Sequence, residues 1–143
     1  MYVSDMVREK GERVVTVAPQ ESVANVVKRL IDEQIGAVVV CDSEGRVCGV
    51  LAERDIVHGL GTQGAAVLQR SASDLMHAAV TCRPSDKVVK LMALMTNRRV
   101  RHLPVIDDDQ KLSGIVSIGD AVKCRLAEIE NESRALREYI SMA

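Results

Sequence analysis
The chain contains no phenylalanine and no tryptophan, and its two tyrosines, Tyr2 and Tyr139, lie near its ends. A core without those rings has to be aliphatic, built from Val, Leu, Ile, Met and Ala, and a flat ligand bound within it finds no ring to stack on. An excess of either charge is also missing: 19 Lys and Arg stand against 20 Asp and Glu, a net charge of −1. No global field draws such a chain toward nucleic acid or an anionic membrane. No apolar run approaches the roughly 20 residues of a membrane span, and the polar start MYVSDMVREKGER lacks the pattern of a secretory signal. The expected compartment is the cytoplasm. The four cysteines, Cys41, Cys48, Cys82 and Cys124, show neither CxxC nor CxxxC spacing. They read as thiols in a reducing compartment, with a strained disulfide between Cys41 and Cys48 as the lesser alternative.

What the chain does have is a repeat. Its 143 residues, 47% hydrophobic and 27% charged, suffice for one compact domain or two small fused ones. A shift of about 65 residues aligns the chain with itself without a gap over roughly 40 positions. Thr16, Pro19, Val23, Val40, Asp42, Gly49, Asp55 and Val57 then meet Thr81, Pro84, Val88, Val105, Asp107, Gly114, Asp120 and Val122. RVVTVAP and AAVTCRP each read as a short strand ended by proline. Val23, Val26, Val27 and Leu30 match Val88, Leu91, Met92 and Met95 at the i, i+3, i+4, i+7 spacing of an amphipathic helix. GAVVVCDSEGRVCGVL and HLPVIDDDQKLSGIV each predict a β-hairpin, and a helix starting near the aspartate closes each unit. The expected class is mixed α/β (α+β), with the unit β-α-β-β-α present twice. The entries echo as well: VSDMV and ASDLM precede the two copies, the first with REKG added behind it.

VTVAP, IGAVVV and GVLAERDIV in the first copy, and VTCRP and RVRHLPVIDDDQKLSGIVSIGD in the second, carry a family likeness. Over about residues 3–125 the chain resembles a tandem pair of CBS domains, the module named after cystathionine β-synthase, and in particular its short stand-alone bacterial members. The resemblance implies two repeats packed sheet against sheet with pseudo-twofold symmetry. It implies clefts between them for an adenine nucleotide (AMP first, then NAD(H) or ATP) or S-adenosylmethionine. It further implies a regulatory module sensing energy or redox state, without catalytic residues, catalytic cofactor or metal. The expected divisions are 1–60, a linker at 61–72, a second repeat at 73–125 and a helical extension at 126–143. The expected partners are a second copy, through the CBS-pair faces and the last helix, and an unidentified regulated protein. A ligand-free dimerisation module is the alternative.

The recurring aspartates have two readings. Ser117-x-x-Asp120 is a near capping box, which alone accounts for an acid there. In the first copy the matching positions are Ala52 and Asp55, so the capping hydroxyl is gone while the acid remains. In the resembled family the matching aspartate holds ribose, and each cleft draws on both repeats. The Asp120 cleft would then take Thr16, Ile35, Gly36 and Ala37 from the first repeat and Arg101, His102, Ser117 and Asp120 from the second. The Asp55 cleft would take Thr81, Val100, Arg101 and His102 on its adenine side. It has Ala52 for the usual hydroxyl and His58 for a common arginine, leaving Arg54 as its cation. The expected order of occupancy is Asp120 before Asp55.

Other signals carry less. GLGTQG at 59–64 follows a helix, so it reads as a helix stop and linker and not as a dinucleotide loop. DDDQK at 107–111 matches DSEGR in register and reads as a hairpin turn. NRRVRH reads as a basic helix end followed by a strand facing the cleft. His58 and His77 lack a Cys or carboxylate at metal-ligand spacing. In the tail, Val122, Leu126, Ile129, Ser133, Leu136 and Ile140 alternate by four and three, a heptad seam with one polar break. That seam packs either on its own domain or on another subunit.

Overall fold
The computed structural model describes residues 1–11 and 13–142. Helix α1 (Val3–Lys10) leads into strand β1 (Thr16–Val17), helix α2 (Val23–Glu33), the hairpin β2 (Ala37–Cys41) and β3 (Val47–Ala52), and helix α3 (Glu53–Gln63). A 3-10 turn at Gly64–Gln69 and the short helix α4 (Ala72–Leu75) precede helix α5 (Val88–Arg98), the hairpin β4 (His102–Ile106) and β5 (Leu112–Ser117), and helix α6 (Ile118–Met142). Among the described residues six helices and two small sheets make up the mixed class.

Local chemistry sets these boundaries. Ser22 caps α2 by accepting the Asn25 N–H at 3.2 Å, and Gln34 ends it in the left-handed region at φ 55°. In the first hairpin turn the Asp42 carboxylate accepts from the N–H groups of Glu44 and Arg46, both at 2.9 Å. Asp107 does the same with Asp109 and Lys111 at 2.9 and 3.0 Å, so DDDQK is a turn.

β1 runs parallel to β2, which pairs antiparallel with β3. In the second repeat the first strand shrinks to one parallel bridge, Cys82 to Val105, beside the β4–β5 hairpin. Cys82 still exchanges hydrogen bonds with Pro104 O and Ile106 N at 3.0 and 2.9 Å. The next N–H, that of Arg83, turns to the Asp86 carboxylate at 2.9 Å, and pairing stops there. The glycine-rich stretch also differs from expectation. Gly59 and Gly61 lie inside α3, and the helix stops only at Gly64, at φ 71°. A Cβ at Gly59 would sit 2.8 Å from Val67, which is fully buried, so the connection folds back on the helix.

Each repeat has its own aliphatic core. Val23, Val26, Val38, Val40 and Leu51 centre the first, and Val88, Leu91, Leu103, Val105 and Val116 the second. The lead-in helices cross over. Val3 and Met6 of α1 pack in the core of the second repeat, and Ala72 of α4 packs in the core of the first. The hydrogen bonds match pairwise: Val3 N to Asp86 O and Ser4 N to Pro84 O, against Ala72 N to Glu21 O and Ser73 N to Pro19 O. Each repeat is therefore completed by a helix that precedes the other one in sequence. All four cysteines are free thiols. Burial pushes the Cys82 thiol up to about 12 and Cys41 to about 11, so both stay protonated and unreactive at neutral pH. No helix among the described residues is long and apolar enough to cross a membrane.

Candidate functional site
The starts of the two hairpins face each other. Gly36 lies against the His102 imidazole, which a Cβ at that glycine would approach to 3.6 Å. Glu53 N donates to Gly36 O at 3.0 Å, and the symmetry-related Ile118 N donates to Arg101 O at 2.9 Å. Beside this contact opens a cavity of about 330 Å³. The first repeat lines it with Gly36, Ala52, Glu53, Arg54 and Asp55, and the second with Arg99, Val100, Arg101 and His102. His77, from the segment after α4, completes the wall.

Asp55 sits in the first turn of α3. Its Oδ2 accepts the Ala52 N–H at 2.8 Å and His77 Nδ1 at 2.8 Å. The hydrogen bond to Asp55 outweighs burial and raises the His77 pKa, which favours the imidazolium. Oδ1 of Asp55 takes no hydrogen bond among the described residues. His102 is pushed the other way, by burial and by the Lys10 charge, so its ring is neutral at pH 7 and has both a donor and an acceptor edge.

Asp120 has the same place on α6 and a different neighbour. Its Oδ2 accepts the Ser117 N–H at 2.9 Å, and Ser117 Oγ accepts the Asp120 N–H at 3.1 Å. Lys10, at the end of α1, donates to the same carboxylate oxygen at 2.7 Å and to Ile115 O at 3.3 Å. Burial alone would raise the Asp120 pKa, but Lys10 and the Ser117 hydrogen bonds overcome it and hold the carboxyl below its usual range. A depressed folded pKa means stability that is present above the unfolded value of about 3.9 and lost as pH falls through the folded one. Urea titrations between about pH 2 and 6 are expected to show this acid loss, less than about 1 kcal/mol for a pair this exposed. Lys10→Met should flatten it.

The capping role is not confined to the second repeat, as the missing hydroxyl at Ala52 suggested. A carboxylate at the third helical position needs only the backbone N–H at the cap, which Ala52 supplies. Asp5 and Asp74 accept cap N–H groups in the same way, at 2.9 and 3.2 Å.

Of the residues singled out from the sequence, the cavity gathers Gly36, Arg54, Asp55, Arg101 and His102. Ala37 is buried at the start of β2, and Ile35 packs on the first core. Thr81 is half-buried outside any named strand. Thr16 lines a separate depression with Asp42 and Leu112. Ser117 and Asp120 lie outside the cavity, with Lys10 on the carboxylate. Sequence reasoning missed Lys10, His77, Glu53 and Arg99. The signal for the first two was the echo of VSDMV in ASDLM, since the segments behind those helices deliver both cations.

The comparisons with known proteins agree with this architecture. The family model for the CBS domain matches residues 3–61 and 72–127. The chain belongs to the CBS domain family, as a tandem pair. The crystal structure of the CBS-domain-containing protein ATU1752 from Agrobacterium tumefaciens is 44% identical, with a TM-score of 0.83 over 87% of this chain and 99% of that one. The mitochondrial CBS domain-containing protein CBSX3 of Arabidopsis thaliana is 31% identical over 96% of this chain and 71% of its own length. The CBS domain protein PAE2072 from Pyrobaculum aerophilum, solved as a complex with AMP, shares the fold, with a TM-score of 0.78 at 21% identity over 90% of this chain and 99% of that one.

Proposed function
We propose that this CBS pair is a non-catalytic regulatory module of the cytoplasm that binds an adenine nucleotide in the Asp55 cavity. The observation that carries this reading is the pairing of one half-free carboxylate with three guanidiniums around one opening. Arg54, Arg99 and Arg101 line the cavity and form no ion pair among the described residues. Asp55 Oδ1 accepts the ribose hydroxyls, and the arginine forks take the phosphate. Gly36 and Val100 form an apolar slot for the base, with the neutral His102 at its edge. A cavity of about 330 Å³ lies at the small end of the ~300–1,000 Å³ range for small-molecule sites. It suits a mononucleotide, which places AMP ahead of ATP and NAD(H). The AMP found in PAE2072 supports this choice. The module signals only if nucleotide prefers one of two arrangements of the pair or its assembly.

Thermal unfolding with AMP, ATP, NADH, S-adenosylmethionine and adenosine tests the reading. AMP is expected to raise Tm by several degrees at about 100 times its Kd, which corresponds to about 2.7 kcal/mol of linkage. Adenosine, without a phosphate for the arginines, should do little. An equal response to adenosine and S-adenosylmethionine would favour a nucleoside or S-adenosylmethionine site. No response to any of them would leave a ligand-free dimerisation module, and turnover of a nucleotide would make the protein an enzyme.

A further inference from the structure
Helix α6 keeps an apolar stripe that no described residue of its own chain covers. Its first two turns are anchored, with Ala121 and Cys124 buried in the second core. Beyond them the seam is open: Leu126, Ile129, Leu136 and Ile140 are 56%, 47%, 60% and 64% exposed. The reading that placed this seam on its own domain is therefore excluded. We infer that α6 pairs with α6 of a second copy of this chain as a parallel two-stranded coiled coil.

The heptad register argues for that occupant. Leu126, Ser133 and Ile140 fall at a, and Val122, Ile129 and Leu136 at d. The flanking positions then hold Arg125 and Glu132 at g and Glu130 and Arg137 at e. In a parallel pair each g residue faces the e residue five positions further along the other helix. Arg125 meets Glu130 of the other copy and Glu132 meets Arg137, and symmetry doubles both contacts. Every flanking pair within the seam is then of opposite sign. An antiparallel pair that sets Ser133 against Leu136 brings only Glu130 opposite Arg137, half as many opposite-sign contacts, so charge selects the parallel form. Glu130, Glu132 and Arg137 form no ion pair within the described chain, while Arg125 exchanges its own Glu128, at 2.9 Å, for the new partner. Ser133, small and polar in the middle of the a positions, tolerates an aligned register and weakens the seam. Anchorage of the first turns offsets the marginal stability of so short a helix, because α6 is folded before it meets its partner.

Sedimentation of the full chain across a wide concentration range tests the inference. A reversible dimer is expected, weakened tenfold or more by E132R or by R137E and restored by E132R/R137E together. That rescue belongs to the parallel pairing alone. Ile140→Cys should cross-link under mild oxidation where the parent chain does not, since only parallel helices bring this position against itself. Circular dichroism and melting of each variant verify the fold. A monomer at every concentration would leave the stripe to some other protein and overturn the inference. So would a dimer indifferent to E132R, R137E and Leu136→Lys, which would assemble through another face. Neither result bears on the nucleotide cavity.

Discussion

Asp55→Ala is expected to abolish the rise in melting temperature that AMP produces, while Asp120→Ala leaves most of it in place. The two carboxylates occupy equivalent positions in the two repeats, and each already caps its helix through Oδ2. Their neighbours differ. Asp55 faces a cavity flanked by Arg54, Arg99 and Arg101, and its Oδ2 holds His77 Nδ1 at 2.8 Å. Asp120 carries the Lys10 ammonium at 2.7 Å, with the end of α1 behind it. Both carboxylates hold a cation on Oδ2 and leave Oδ1 without a hydrogen bond among the described residues, so the order rests on the three arginines that flank the Asp55 cavity and can take the phosphate. Hydrogen bonds to a charged group contribute about 1.5–3 kcal/mol each, so losing the ribose contacts should weaken AMP by about 10-fold to 100-fold or more. Because Asp55→Ala also removes the α3 cap and frees His77, the apo variant will melt lower as well. Asp55→Asn separates the effects: it keeps an acceptor for the Ala52 N–H but removes the charge, and should still lose affinity. Isothermal titration with AMP on all three variants gives the order. Greater loss in Asp120→Ala than in Asp55→Ala would place the nucleotide in the other cleft and overturn this assignment. Lys10→Met would then be the variant to watch, since it should open that cleft and tighten binding.

Much of the fold was legible because the periods are local. Four and three in α2 and α5, an acidic turn between two apolar runs, and a carboxylate one turn into a helix are each visible within a dozen residues. The site was half legible. Gly36, Asp55, Arg101 and His102 fall in register with the repeat, so the family likeness carried them. Lys10 and His77 did not, because their partners lie 110 and 22 residues away and are brought together only by the crossing of α1 and α4. That exchange is a tertiary event with a faint trace in sequence, the shared Ser-Asp of the two lead-ins. The four residues REKG then decide the asymmetry. They let α1 run on to place Lys10 over Asp120, whereas the chain after α4 turns extended and sets His77 beside Asp55. Residue types alone rank the Asp120 cleft first through Ser117 and Arg101; the proposed order departs from that ranking because Lys10 stands on Asp120 and the arginines flank Asp55.

The same crossing makes Gly49 the position where one methyl group should do the most damage. The segment after α4 lies on β3 there, with Val50 and His77 exchanging backbone hydrogen bonds at 3.1 and 3.0 Å. A Cβ at Gly49 would come within 2.7 Å of Met76 Sδ and 2.8 Å of His77 O. The sulfur sits on a flexible side chain and can move aside. The carbonyl cannot, because it is held by the Val50 N–H. Gly49→Ala therefore has to lift the 76–77 backbone off the sheet. Overpacking of this kind costs about 1–3 kcal/mol, or a fall of roughly 3–10 °C in Tm for a domain of this size. Gly114 is the matched control in the other repeat. There the atoms nearest to a Cβ all belong to Val7, its methyls at 3.1 Å, on a helix with no strand-like pairing at that residue to break. Gly114→Ala should cost less than half as much. The two variants should also part in function. Gly49→Ala displaces His77 from Asp55 and is expected to weaken AMP in proportion, while Gly114→Ala leaves that cavity intact. Urea unfolding and AMP titration of both settle it. Equal stability losses would show that His77 O yields freely, and an unchanged affinity in a destabilised Gly49→Ala would show that His77 has no part in holding Asp55 for the ligand.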